Sequence, residues 1–386
     1  GVGGASTAAS VDGAAAYRQA GSTLKPFLYA MAIERGYLTS ASILDDSPVQ
    51  LDTQTGLYAP QNYDRAVKGP VSVRTALAGS LNVPAVGTLV LTGADAFRDR
   101  LWDTGYRGLT EDGQYYGFSL ALGSAEVTLL EQVAAYRSLA RAGQWGPLRL
   151  TASDPRATPR AVTTPQAAWI VGDILSDANA RAVTFGPDSS LRLPFWAAVK
   201  TGTSKAMRDN WCIGYSDRFT VGVWVGNLEG DPMRAVSGTS GAAPVWHDVM
   251  LALHAGQPGR QPPRPSGIEE RTIRFAGNLE QPRREYFLAG TGLSLVAMAP
   301  EQARRPRILN PVAGSVYALD PDIPIDRQRL AVTVTGAVPG FRLTLDGHDI
   351  GAADTAPMIL PPPGRHRLRL VDPGGAVVDQ LLFTVR

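Results

Sequence analysis

Ser22 and Lys25 stand three residues apart in Ser22-Thr23-Leu24-Lys25, a spacing that puts both side chains on one face of a helix. A serine hydroxyl attacks poorly until a base takes its proton, and Lys25 is a base within reach. A lysine amine can do this only if its pKa is lowered, by desolvation and by a second cation nearby. Lys200, in Lys200-Thr201-Gly202-Thr203, is the candidate cation, and Ser80-Leu81-Asn82 adds a hydroxyl and an amide. Together these residues predict acyl transfer through an ester on Ser22. The backbone N–H groups of Ser22 and Thr203 are the expected oxyanion donors, each worth about 3–4 kcal/mol. Ser80 and Asn82 are expected to relay protons and hold a substrate amide. Lys200, Thr201 and Thr203, with Gly202 between them, are expected to meet a substrate carboxylate. Each segment alone has an ordinary reading: Ser22 as a helix cap, Lys25 as a solvated charge, Gly202 as a strand kink. Their ordered joint occurrence is what favours catalysis.

The choice of lysine supports the same residues. Only four of the 37 basic residues are lysines, namely Lys25, Lys68, Lys200 and Lys205. In a chain that uses arginine wherever a positive charge suffices, a retained lysine suggests a need for an amine that can lose its proton. Neighbouring residues favour that reading for Lys25 and Lys200, and a leftover of mutation for Lys68 and Lys205.

The elements that must position these groups are legible in outline. Residues 22–36 read as a helix with Ser22 at its start, Pro26 in the first turn and Gly36 as a stop. Further helical patterns cover 72–79, 125–142, 165–178 and 242–255. Strands are expected at 195–199, 211–215 and 219–226, with a turn at Ser216-Asp217-Arg218. Residues 256–266 are rich in Pro, Gly and Arg and mark a boundary. Short alternating runs at 329–335, 341–345, 366–370 and 376–385 suggest a small all-β sandwich. The expected fold class is α+β, an antiparallel sheet flanked by helices and followed by that sandwich. The expected division is 1–258, a linker and extension at 259–305, and a β-domain at 306–386.

Composition narrows the function classes. The 386 residues have a net charge of +2, and no Lys/Arg run points to nucleic acid. No apolar stretch is long enough to span a membrane. Cys212 is the single cysteine and lies in an apolar run, so it reads as a buried structural thiol. His247, His254, His348 and His366 lack metal-ligand spacing, and no cofactor is called for.

The segments 18–27, Tyr58-Ala59-Pro60-Gln61-Asn62-Tyr63-Asp64, 119–128 and Asp209-Asn210-Trp211-Cys212-Ile213-Gly214-Tyr215, around the ordered S-x-x-K, S-x-N and K-T-G, resemble the penicillin-binding proteins. The likeness is to the transpeptidase domain of the class A enzymes. Leu319-Asp320-Pro321-Asp322-Ile323-Pro324, Leu345-Asp346-Gly347 and Pro363-Gly364-Arg365-His366 resemble the C-terminal β-domain of the 1C-like subgroup. The resemblance implies a peptidoglycan transpeptidase on the periplasmic side of the bacterial inner membrane. Its partners would be stem peptides ending in D-Ala-D-Ala, an acceptor amine, and β-lactams as covalent inhibitors. A glycan or cell-wall protein partner for the C-terminal domain is a further expectation, with a spacer as the other reading. The family's membrane anchor, glycosyltransferase domain and leading strands are not recognised in the sequence, which reads as a fragment beginning at Gly1-Val2-Gly3-Gly4. Two alternatives share the same residues. One is a D,D-carboxypeptidase or serine β-lactamase, and the other is a β-lactam receptor without turnover.

Overall fold

A computed structural model describes residues 11–48, 51–53, 56–58, 60, 62, 68–234, 236–297, 306–311, 313–317, 329–335, 339–355 and 357–386. The Gly1–Gly4 start and the Leu319–Pro324 segment lie outside the described residues. The chain forms two compact units, Gly1–Asp46 with Thr53–Val296 and Ser47–Asp52 with Ala297–Arg386.

Helix α1 (Lys25–Glu34) is buried from Lys25 to Ile33, so it has no solvent face and forms the centre of the first unit. A single 3₁₀ turn, Gly21–Leu24, precedes it, where the sequence suggested a continuous helix from residue 22. The reason is Pro26, which has no N–H to give the Ser22 carbonyl; the Lys25 N–H bonds that carbonyl in its place. Strand β1 (Ile43–Asp46) pairs antiparallel with β2 (Gly69–Ser72). Ser72 then caps α2 (Val73–Ala78), its hydroxyl accepting from the Thr75 N–H at 3.2 Å. Two further helices, α3 (Asn82–Thr92) and α4 (Ala94–Asp103), were not foreseen. The expected pattern at 125–142 becomes α5 (Leu129–Ala140), opened by a reciprocal Thr128–Glu131 capping box. Helices α6 (Pro165–Ser176) and α7 (Ala178–Phe185) follow.

The sheet consists of β3 (Ala198–Thr203), β4 (Asp209–Tyr215) and β5 (Thr220–Gly226), antiparallel in the order β5-β4-β3. Alternation along β4 gives each face to one helix. Cys212 clusters with Trp246 of α8 (Ala243–Leu253), and Gly214 meets the same indole. On the other face Gly222, opposite Ile213, meets Leu129 and Val133 of α5. Cys212 is fully buried, which pushes its thiol pKa up. Strand β3 begins and ends later than the expected 195–199, because Lys200, Thr201 and Gly202 are themselves part of the buried ladder. Residues 268–296, expected as part of a linker and extension, form strands β6 (Ile268–Phe275), β7 (Arg283–Leu288) and β8 (Leu295–Val296) within the first unit.

The second unit is all-β. A five-stranded sheet runs β10 (Val316–Tyr317), β17 (Val377–Val385), β16 (Gly364–Val371), β13 (Arg342–Leu345), β14 (His348–Ala352). Two short pairs accompany it, β9 (Arg307–Asn310) with β12 (Thr333–Thr335), and β11 (Leu330–Ala331) with β15 (Met358–Ile359). Ile308, Val332 and Ile359 join Leu343, Leu368, Leu370 and Phe383 in one core.

A buried ionic cluster ties α2 to β7 and α6. Arg74 is 4% exposed and bonds Glu285, Asp173 and Asp177, while Arg283 also reaches Glu285, at 3.0 Å. Glu285 is fully buried, so removing its main partner strands a carboxylate. Arg74→Ala is expected to lower stability by about 3–5 kcal/mol, read as a shift of the urea midpoint; a midpoint within error of the parent protein contradicts this account of the cluster.

Candidate active site

Six of the eight expected site residues line one cavity of about 440 Å³: Ser22, Ser80, Asn82, Thr201, Gly202 and Thr203. The other two, Lys25 and Lys200, are buried against its wall at 0% and 2% exposure. Of the two lysines read as incidental, Lys205 is exposed and Lys68 half-buried.

The 3₁₀ turn that carries Ser22 is held from α5. Gln132 Nε2 donates to Thr23 Oγ1 at 2.5 Å, Tyr136 Oη donates to the Thr23 carbonyl at 2.7 Å, and Thr23 Oγ1 donates to the Ala20 carbonyl at 2.8 Å. The turn lies directly against β3. A Cβ on Gly21 (φ 55°) would sit 2.9 Å from the Thr203 backbone nitrogen, and one on Gly202 would sit 2.7 Å from both the Ala20 carbonyl oxygen and Thr23 Cγ2. Only glycine at both positions allows the residue before Ser22 to meet the backbone of Thr203. The Thr203 hydroxyl is occupied, accepting from the Gly238 N–H at 3.0 Å.

Ser80 occupies an unusual place. The Ser80 N–H donates to the Leu77 carbonyl at 3.1 Å and the Leu81 N–H to the Ala76 carbonyl at 2.9 Å, a Schellman ending to α2. Its left-handed position, where glycine is usual, is Ser80, at φ 60°. That conformation turns the carbonyls of Ser80 and Leu81 onto Lys25. Lys25 Nζ donates to Ser80 O at 2.8 Å, Leu81 O at 3.0 Å and Asn82 Oδ1 at 2.6 Å. The Ser80 hydroxyl accepts from Lys200 Nζ at 2.7 Å, and Lys200 also donates to the Thr201 carbonyl at 2.8 Å. Ser80 therefore stands between the two amines.

Burial holds the Lys25 pKa well below the usual lysine range, and the neighbouring Lys200 lowers it further against the opposing pull of Asp46. Burial also brings the Lys200 pKa down to about 7, with Arg181 acting in the same direction.

Residues 12–251 match the family described as the penicillin binding protein transpeptidase domain. This chain belongs to that family. Residues 296–383 of this penicillin-binding protein match a second family, described as the Penicillin-Binding Protein C-terminus Family. It is 36% identical over 275 residues to penicillin-binding protein 1C of Escherichia coli (strain K12), covering 70% of this chain and 34% of that protein. With penicillin-binding protein 1B of Vibrio cholerae serotype O1 it shares 32% identity, over 60% of this chain and 31% of the relative. The chain spans about a third of the length of these relatives. Among solved structures, penicillin-binding protein 1A from Haemophilus influenzae superposes with a TM-score of 0.63 at 24% identity, over 74% of this chain and 50% of that one. The PonA1 protein from Mycobacterium tuberculosis, solved with penicillin V, gives 0.57 at 21% identity, over 67% of this chain and 75% of that one. The expected fold class is borne out.

Sequence reasoning missed several residues of the cavity wall. Thr184 and Phe185 end α7, and Ser237, Thr239 and Ser240 lead into α8. The run Ser237-Gly238-Thr239-Ser240-Gly241 gave no distinct signal, since Ser237 and Ser240 form a capping box, the ordinary use of hydroxylated residues before a helix. Asn62 also lines the cavity, within the Tyr58–Asp64 segment that carried the resemblance; of that segment only 58, 60 and 62 are described.

The depressed Lys200 pKa sets a stability window. Between about 7 and the ordinary lysine value the unfolded chain holds a proton that the folded chain has lost, so stability rises with pH there. Below about 7 both states hold the proton and Lys200 adds no slope. Urea unfolding of the parent protein and Lys200→Met at pH 7 and 9.5 is expected to show the parent gaining on the variant as pH rises; a constant difference contradicts a low Lys200 pKa.

Proposed function

We propose that this transpeptidase domain is a serine-type D,D-transpeptidase that cross-links peptidoglycan through an acyl-enzyme on Ser22. The observation that carries the reading is the three-acceptor cage around the Lys25 amine, buried one helical turn beyond Ser22 and under the influence of Lys200. A neutral Lys25 can take the Ser22 proton, and the ammonium so formed has one acceptor for each of its N–H bonds. The cage is thus complementary to the charge that develops as the serine attacks, which is where binding energy accelerates a reaction.

In the first half, Ser22 Oγ bonds to the carbonyl carbon of the D-Ala-D-Ala peptide bond. The carbon–nitrogen bond breaks, and the proton passes from Lys25 to the departing D-alanine amine through the Ser80 hydroxyl. The backbone N–H groups of Ser22 and Thr203 receive the oxyanion. Asn82 holds the substrate amide, and Lys200, Thr201 and Thr203 meet the terminal carboxylate. In the second half, an amine of a neighbouring stem peptide attacks the ester, a peptide bond forms, and Ser22 regains its proton. A β-lactam enters the same first half, and its ring amide opens into a persisting ester. The structure of PonA1 in complex with penicillin V supports this reading.

Transfer is favoured over hydrolysis by the likeness to class A penicillin-binding proteins and by the C-terminal domain that accompanies the transpeptidase domain. A periplasmic location goes with this reading.

Fluorescent penicillin is expected to label the protein covalently and to leave Ser22→Ala unlabelled. With a stem-peptide donor and an added amine, the expected product is the aminolysed peptide. Absence of Ser22-dependent label overturns the nucleophile assignment, and a product that is only hydrolysed overturns the transferase in favour of a carboxypeptidase.

A further inference from the structure

Asn62 and Asp46 take no part in the acyl transfer set out above, yet they connect to Lys25 through an unbroken set of hydrogen bonds. Asn82 opens α3, and its backbone N–H is among the first donors of a helix, which have no partner within the helix. The preceding residue, Leu81, has no side-chain oxygen with which to cap it. Asn62 supplies the acceptor from a separate segment: its Oδ1 accepts from the Asn82 N–H at 2.7 Å. An amide can accept in that direction only with its NH₂ turned the other way. There Asn62 Nδ2 donates to Asp46 Oδ2 at 2.7 Å, and a carboxylate only accepts, so Asp46 decides which way Asn62 faces. Asp46 ends β1 and is fully buried; the Lys68 backbone N–H donates to the same oxygen at 2.9 Å. At the far end of the chain of bonds, Asn82 Oδ1 receives Lys25 Nζ at 2.6 Å.

We propose that Asn62, oriented by Asp46, is a positioning residue that caps α3 from outside the helix and so holds the Asn82 carbonyl oxygen on Lys25. The inference rests on the reading of Ser22 and Lys25 as nucleophile and base. The geometry requires this support because two of the three Lys25 acceptors come from the Schellman turn and the third from α3. If α3 slides or rotates at its first residue, the cage opens on one side while the turn stays in place. Asp46 also contributes through its charge, which opposes burial and Lys200 in setting the Lys25 pKa; among the described residues, Lys200 and Asp46 are the charged groups that act on this amine.

The test compares Asn62→Ala, Asp46→Ala and Asp46→Asn in the same chain, reading fluorescent-penicillin acylation and hydrogen exchange side by side. Both alanine variants are expected to acylate roughly five- to tenfold more slowly, the size of one lost helix cap. They are also expected to expose the first turn of α3 to exchange while β3, β4 and β5 stay protected. Asp46→Asn keeps an acceptor oxygen for Asn62, so it is expected to keep α3 protected and to acylate faster than Asp46→Ala. The proposal is overturned if Asn62→Ala leaves both readouts unchanged, or if protection falls uniformly across the unit, which marks a general loss of stability. Should the parent protein take no Ser22-dependent label, the functional reading fails, and the exchange data alone decide whether Asn62 caps α3.

Discussion

Two lysine side chains buried on either side of one serine, Ser80, are the constraint on which the rest of this site depends. Taking an ammonium out of water is expensive unless it is paired or hydrogen-bonded, and among the described residues no carboxylate bonds Lys25 or Lys200 directly. The fold answers with backbone carbonyls and an amide. Lys25 has the carbonyls of Ser80 and Leu81 and the side chain of Asn82; Lys200 has the Ser80 hydroxyl and the Thr201 carbonyl. Neutral acceptors lower the cost of charging without removing it. The amine therefore stays easy to deprotonate, as a base for serine must be.

The unusual local features follow from that arrangement. Ser80 sits in the left-handed position where glycine would be comfortable, because only there do its carbonyl and its hydroxyl face different lysines. Helix α1 is buried all round because residues 26–33 are almost wholly apolar, and that carries Lys25 into the interior. Gly21 and Gly202 bring the nucleophile turn against β3 at distances no side chain permits. The Arg74 cluster then fixes α2, which leads through Gly79 into Ser80, to β7 and α6. Strain and rare conformations gather where chemistry needs them and are held in place by the surroundings.

Much of this was legible in the sequence because it is local. Ser22 to Lys25 is one helical turn, β4 carries an apolar run, β5 alternates, and a helical pattern marks α5. The scarcity of lysine singled out the two that are buried. What stayed hidden is non-local or unpatterned. Helix α3 carries Pro84, Gly87 and several β-branched residues, and its start lacks a capping side chain, so neither propensity nor capping reveals it. The cap comes from Asn62, and Asp46 behind it belongs to a strand with no motif. Strands β6 and β7 are rich in Arg and Glu, and they follow a Pro-rich stretch that reads as a linker. Pro26 converted an expected helix start into a 3₁₀ turn through the one N–H it lacks.

The central claim is that burial and the neighbouring Lys200 hold the Lys25 pKa well below the ordinary lysine range, and its titration can be observed directly. Selective isotope labelling of lysine Cε and Nζ, assigned through Lys25→Arg, follows the protonation of each of the four lysines by nuclear magnetic resonance. The account predicts that Lys25 titrates well below the ordinary lysine value. A Lys25 midpoint near the usual value of about 10.4 would contradict it, because an amine protonated at neutral pH cannot take the serine proton.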